Sequence, residues 1–305
     1  MKKDWSDFLL PCSGIEAIFT RPQGVTKLSK KDETHLAKLS LLEEKTQDDW
    51  DKIRAYRAKA ELYENPPLSK TAISFLTEKY AWFKYEKKIA SKGKLLAFLE
   101  KGNVLESTAI KVMSEIDGVT YIKNDEKLHN EFIVGEPDII HREGGLVIDT
   151  KVSWNINSFL KAKNGLDDKY WFQAQGYMEL FNIDKVDVCF LLLDTPDDII
   201  QREFAKVLTS FVMGEIDRET YDEKVESLAG AMVYSNIPMK RRVIRYRVNK
   251  EPSVMPVIYK KVEMCRQFLK QFDREHLKNK IIVSLPPKKV HGKEDNTEHN
   301  SDFTP

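Results

Sequence analysis

Two carboxylates and an ammonium group are concentrated near the middle of the chain. The segment from Pro137 to Asp149 reads PDIIHREGGLVID, and Lys151 follows two positions later. Asp138 and Asp149 are eleven positions apart, with Gly144-Gly145 between them and apolar residues on both sides. A Gly-Gly pair between two apolar runs marks a hairpin, which would carry both carboxylates to one place. Carboxylate oxygens are the ligands a hard cation such as Mg²⁺ prefers. A lysine beside them can orient a water or stabilise charge developing on phosphorus. The combination reads as a metal-dependent phosphodiester-cleaving centre.

Strand alternation puts Asp149 and Lys151 on the same face and points Thr150 away. The Thr150 backbone carbonyl would remain available as a ligand. Two converging carboxylates repel each other, and a cation relieves that repulsion. Taken alone, an Asp-x-Lys triplet is more often an ion pair on a solvated edge, and a Pro-Asp pair is more often a turn. Here Asp149 closes the apolar run Leu146-Val147-Ile148, so the charge does not lie on an open surface.

Several elements must position these groups. A charged, Ala/Leu-rich stretch from about Ser29 to Glu64 has Leu36, Leu39, Leu42 and Ile53 on one helical stripe, and Asn65-Pro66-Pro67 ends it. Ser69 is expected to cap a helix through Tyr85, with Ala72, Phe75, Leu76, Tyr80 and Phe83 on its buried side. A short helix after Gly93 is expected to break at Gly102-Asn103, and Val104 to Ile116 resumes the helical period. Residues 1–27 read as irregular or a short strand. Glu131–His141 and Gly145–Trp154 read as paired strands, Lys169–Phe181 as a helix, and Lys185–Asp194 as a strand covered on both faces. Residues 197–230 alternate helix and loop; a strand over Lys240–Lys250 and a helix over Val254–Leu277 follow. The fold class is α/β (α+β), a mixed central sheet flanked by helices.

The totals narrow the function classes. At 305 residues the chain can bury a sizeable core. Charged residues make up 32% of it, yet the formal net charge is +1, so any nucleic-acid surface must be local. Cys12, Cys189 and Cys265 are widely spaced and form no CxxC pair, which argues against a disulfide framework or a structural zinc site. No apolar run reaches the roughly 20 residues that span a bilayer. No signal-peptide pattern opens the chain, so a soluble, cytoplasmic protein without membrane partners is expected.

These residues resemble the PD-(D/E)XK nuclease superfamily, and within it the phage lambda exonuclease and YqaJ-type viral recombinase branch. The match is carried by Gly135-Glu136-Pro137-Asp138 and Ile148-Asp149-Thr150-Lys151. Gln173-Ala-Gln-Gly-Tyr177 is similar to the QxxxY motif of RecB-type nucleases, and Gly102-Asn103-Val104-Leu105-Glu106 to the family's G-x3-E. Cys12-Ser13-Gly14 and the LSKTA segment at 68–72 are also similar to phage members. The resemblance covers most of residues 8–275. It implies a restriction-endonuclease-like core over 96–282; the element order adds a helical N-terminal extension over 1–95 packed on that core, and the scarcity of apolar residues from Pro286 onward predicts a disordered tail over 283–305.

The resemblance further implies Asp138, Asp149 and the Thr150 carbonyl as ligands of Mg²⁺ (Mn²⁺ as a substitute), with a carboxylate from Glu106. Lys151 would position or activate the attacking water, and Gln173 and Tyr177 would set Lys151 or contact DNA. The implied activity is exonucleolytic hydrolysis of linear double-stranded DNA, 5′-to-3′, in phage-type recombination. Double-stranded DNA ends, a single-strand annealing protein and a homo-oligomer are the implied partners. An endonuclease on the same core and a non-catalytic DNA-binding assembly protein are the rivals.

Candidate DNA contacts lie elsewhere. KRRVIRYRVNK at 240–250 holds six basic residues and no acid, and alternation puts Arg241, Arg245 and Arg247 on one face. That face suits a phosphate track, though a cationic edge strand that resists aggregation has nearly the same pattern. Ser13 and Lys70, with Arg21 and Ser69, are further candidates from the N-terminal motifs. His141 is expected to serve the protein surface instead of catalysis.

Overall fold

The computed structural model describes residues 5–86 and 93–276. The elements run β1 (Leu10–Pro11), α1 (Ile15–Phe19), α2 (Lys30–Leu41), α3 (Gln47–Glu64), α4 (Lys70–Tyr85) and α5 (Gly93–Asp117). Next come β2 (Leu128–His129), β3 (Ile133–Gly135), β4 (Ile139–His141), β5 (Leu146–Val152), α6 (Ile156–Lys161) and α7 (Asp168–Phe181). The order ends with β6 (Lys185–Leu191), α8 (Asp197–Val212), α9 (Arg218–Ala231), β7 (Val243–Asn249) and α10 (Val254–His276).

The larger sheet has the order β4-β5-β6-β7. β4 and β5 form the antiparallel hairpin, with Ile139 opposite Ile148. β5 and β6 are parallel, and β7 returns antiparallel to β6. Parallel neighbours require a crossover, and α6 and α7 supply it. The α/β architecture with a mixed sheet is therefore present as expected.

Burial follows the register. Val147, Val186, Val188, Phe190 and Val248 share one face and pack with Ala174, Tyr177, Met178 and Phe181 of α7. Ile148, Val152, Cys189 and Leu191 share the other and pack with Ala109, Ile110, Val112 and Met113 of α5. The sheet is thus sandwiched between α7 and α5. The apolar run read as a doubly covered strand is buried from Val186 to Leu191.

Caps explain several boundaries. The Ser69 side chain accepts from Ala72 N at 3.0 Å and starts α4. Capping boxes at Ser29 and Thr46 start α2 and α3 as two helices, where the composition suggested one stretch. Gly102-Asn103 does not break α5, which is continuous. A mid-helix glycine costs about 1 kcal/mol, less than the packing of the α5 stripe returns.

The expected strand 131–141 is interrupted. Its first part, β3, belongs to a separate three-stranded sheet, β1-β3-β2. The chain changes sheets through Glu136-Pro137-Asp138, where proline brings no N–H to a ladder. The N-terminal residues are more than a helical extension. β1 pairs with β3, and Trp5, Phe8, Leu10, Ile15, Ile18, Leu76 and Tyr80 lie in the same apolar cluster as α7 and α10. The expected tail at 283–305 lies outside the described residues. Among the described residues, no helix is long and apolar enough to cross a membrane.

Candidate active site

β4 begins only at Ile139, opposite Ile148, so its pairing with β5 covers Leu146 to Ile148 and leaves Asp149 to Val152 without a strand neighbour on that edge. Asp138, the residue before β4, fills the vacated position. Its Oδ2 accepts from the Thr150 backbone N–H and from the Thr150 hydroxyl, both at 2.6 Å. On a strand, the N–H and C=O of one residue leave by the same edge. The Thr150 carbonyl therefore also faces away from β6, toward Asp138.

Asp149 lies on the opposite face of β5 and is 2% exposed. Its Oδ2 is 2.7 Å from Lys151 Nζ, a buried ion pair. Burial pushes the Asp149 carboxyl up to about 6; Lys151 opposes the shift and Asp138 adds to it. For Lys151, burial works against the ammonium, but Asp149 and Asp138 outweigh it and hold the group above its ordinary value. The Lys151 ammonium lies 5.4 Å from the Tyr170 ring centre.

α7 forms one wall. Gln173 Nε2 donates to Tyr177 Oη at 2.7 Å, and that hydroxyl reaches the Glu136 carbonyl at 3.4 Å. The i, i+4 pair therefore points inward as its spacing suggested, and ties α7 to the segment that delivers Asp138. Burial, followed by Asp149, pushes the Tyr177 phenol well above its usual range. The approach is close because Gly176 is a glycine: a Cβ there would lie 2.7 Å from Cys12 Sγ and 2.9 Å from Ile15.

α5 forms the other wall. Ser13, Gly102, Asn103, Glu106, Asp138, Thr150, Lys151 and Gln173 line one cavity of about 390 Å³. The sequence-predicted groups are thus brought together, with Asp149 and Tyr177 beneath the surface. Glu106 faces the cavity but is also paired with Lys123 at 3.0 Å.

Other candidates lie apart. Arg245 and Arg247 occupy the α5 side of the sheet, opposite to Asp149 and Lys151, and are engaged by carboxylates. Arg247 grips the fully buried Asp187 at 2.7 and 2.8 Å, and Arg245 binds Asp117 at 2.6 and 2.8 Å. Arg241 sits in a short 3-10 turn before β7 and is off the strand alternation. Lys70 is the exposed first residue of α4 and does not line the cavity. Arg21 stacks 3.8 Å over Tyr63, and Ser69 is spent as a cap. His141 packs edge-on to Tyr121.

Sequence reasoning missed Phe98, Leu99, Lys169 and Tyr170, which line the same cavity. Lys169 is in the first turn of α7, 3.8 Å from its carboxylate partner Asp167 and 4.5 Å from the Tyr170 ring centre. Its position one turn before Gln173 was the available signal.

Among the described residues no cluster of three or more His, Cys, Asp or Glu side chains stands ready for a metal. The carboxylates of Asp138 and Asp149 and the Thr150 backbone carbonyl nevertheless make an oxygen-rich set of the kind Mg²⁺ takes.

No protein-family model matches the chain. No curated protein matches it. Solved structures do. A phage-related exonuclease from Haemophilus somnus 129PT is similar with a TM-score of 0.60 and 24% identity, over 88% of this chain and 97% of that one. An alkaline exonuclease, LHK-Exo, from Laribacter hongkongensis gives 0.49 and 9%, over 88% and 93%. The same enzyme in complex with dAMP gives 0.48 and 10%, over 89% and 94%. The first similarity defines the fold: this chain is folded like a phage-related exonuclease along nearly its whole described length.

Proposed function

We propose that the chain is a Mg²⁺-dependent deoxyribonuclease that removes nucleotides from the ends of linear double-stranded DNA, in the 5′-to-3′ sense and in phage-type recombination. The observation that carries this reading is the single cavity shared by Asp138, Thr150, Lys151, Glu106 and Gln173. The exonuclease fold of the Haemophilus somnus protein and the order of the four sequence motifs support it.

Asp138, Asp149 and the Thr150 carbonyl would hold the cation, with Glu106 released from Lys123 to join them; Mn²⁺ would substitute. A cation held there would polarise the scissile phosphate and make the attacking water easier to deprotonate. Thr150 fixes Asp138 through two bonds to one oxygen, which orients the carboxylate before any ligand arrives. Lys151 stands beside Asp149 with N–H groups to donate to the attacking water or to a phosphate oxygen, where negative charge develops. The Gln173–Tyr177–Glu136 chain of bonds keeps α7 against the Asp138 turn. Lys169 supplies a further cation for a backbone phosphate next to the scissile one, a role the β7 arginines are too occupied to take.

The test is cleavage of 5′-labelled, 3′-labelled and closed circular DNA with and without Mg²⁺. The reading requires Mg²⁺-dependent release from the 5′ end and survival of the circle. Cutting of the circle would make the protein an endonuclease of the same class. Absence of cleavage, or cutting by Asp149→Asn or Lys151→Ala at the parent's rate, would remove the catalytic assignment. An annealing-protein partner and a homo-oligomer belong to the same proposal and are read by co-purification and solution mass.

A further inference from the structure

Lys101 has no exposed surface, and it is among the largest fully buried side chains of the chain. Lysine is almost never fully buried unless paired, yet among the described residues no carboxylate lies within ion-pair distance of it. Its Nζ donates to the Trp154 carbonyl at 2.9 Å and sits 5.9 and 5.8 Å from the ring centres of Trp154 and Tyr234. Burial pulls the ammonium down to about 8, with Asp194 opposing. Desolvation of such a group opposes folding. Lys101 is four residues before Leu105 and eight before Ala109, on the α5 stripe that faces the sheet.

The partner explains the expense. β5 leaves the sheet just after Val152: Ser153 N–H still bonds the Leu191 carbonyl at 2.8 Å, and Asn155 already caps α6. Trp154 lies between these two fixed points, three residues beyond Lys151, and its carbonyl is held by Lys101. The neighbouring residues on α5, Gly102, Asn103 and Glu106, line the cavity, as do Lys151 and Val152 on β5.

We propose that Lys101 is a positioning residue: its bond to Trp154 ties the helix that carries Glu106 to the exit of the strand that carries Asp149 and Lys151. The tie sets how far Glu106 stands from Asp138. The proposal rests on the nuclease reading only for its kinetic consequence; the tie itself is independent of it.

The experiment compares Lys101→Met, which loses the donor, with Lys101→Gln, which keeps an N–H donor without the charge. Amide hydrogen exchange, read without DNA, is expected to rise about tenfold or more over residues 102–106 and 152–156 in Lys101→Met and much less in Lys101→Gln. For the active parent, Lys101→Met is expected to lower kcat about tenfold or more at a nearly unchanged KM, Lys101→Gln to recover most of it, and Lys101→Met to add less than about twofold in a Glu106→Gln background. Unchanged exchange in a folded Lys101→Met variant, or kcat losses that multiply with Glu106→Gln, overturns the proposal. Should Lys101→Met fail to fold, Lys101→Gln decides: a folded Gln variant with exchange and kcat as poor as those expected for Met overturns it. A parent that cleaves no DNA removes the nuclease reading alone, and the exchange measurement still judges the tie.

Discussion

Thr150 holds Asp138 by two hydrogen bonds to one carboxylate oxygen, the backbone N–H and the hydroxyl each at 2.6 Å from Oδ2. Among the described residues no hydrogen bond falls on Oδ1, so one edge of the carboxylate is fixed by the protein and the other is left for a ligand. Thr150→Val keeps the backbone bond and the shape but removes the hydroxyl. A hydrogen bond to a charged group contributes about 1.5–3 kcal/mol, so the variant should lose about that much stability and about tenfold in kcat. Thermal melts and single-turnover cleavage check both; a variant as fast as the parent would show that the hydroxyl does not orient Asp138.

Asp149 should cost the metal-free protein stability. Its folded-state pKa of about 6 lies above the ordinary value of 3.8. Between these two values the folded chain keeps a proton that the unfolded chain has released, so stability falls as pH rises through the window. The full penalty is on the order of 3 kcal/mol above about pH 6. In EDTA, the parent's melting temperature should therefore decline from about pH 4 to pH 6 relative to Asp149→Asn. Mg²⁺ should recover stability in the parent and not in the variant, which should also be inactive. A parallel pair of pH profiles would contradict the burial argument.

Lys169 is expected to bind a phosphate in the substrate and to take no part in bond cleavage. Lys169→Ala should raise KM several-fold with kcat nearly unchanged, and reduce the slope of log affinity against log salt by about one. A fall in kcat at constant KM would place the group at the chemistry instead.

Arg247 should behave in the opposite way. It is spent on Asp187, which is fully buried and also lies 3.5 Å from Arg245. Removing one partner of a buried carboxylate costs about 3–5 kcal/mol; half of the Arg247 side chain is exposed, so Arg247→Ala should lose less, about 1–2 kcal/mol, with no change in the salt slope of DNA binding. A reduced slope would restore β7 as a phosphate track.

Gly176→Ala should destabilise the protein by about 1–3 kcal/mol, because the new methyl meets Cys12 and Ile15 in a packed interior. Denaturant titration measures it. A neutral effect would mean that α7 is not pinned against the Cys12 turn.

Much of the site was legible because strand and helix periods are rigid. The spacing of Asp149 and Lys151 puts both on one face of β5, and the spacing of Gln173 and Tyr177 puts both on one side of α7. Gly144-Gly145 marked the hairpin turn, with Gly145 at φ +57°. Ser69 was readable as a cap because a hydroxyl before a helical stripe satisfies an orphan N–H.

The β7 arginines show the limit. Alternation correctly placed Arg245 and Arg247 on one face, but no local pattern reveals that Asp117, 128 residues before Arg245, and Asp187 meet them. The break between β3 and β4 was missed for a similar reason: proline made it permissible, but the pairing of β3 with β1 and β2 made it favourable. Nothing local in the sequence marks Lys101, whose burial depends on Trp154 and Tyr234 arriving from other elements.

The sequence by itself determined which groups could do chemistry and which neighbours share a face, because those depend on residue type and a fixed local period. The tertiary structure decided which charges stay free for a ligand and which are consumed internally. That choice depends on contacts between residues far apart in the chain, and on how much water each charge loses when the elements close around it.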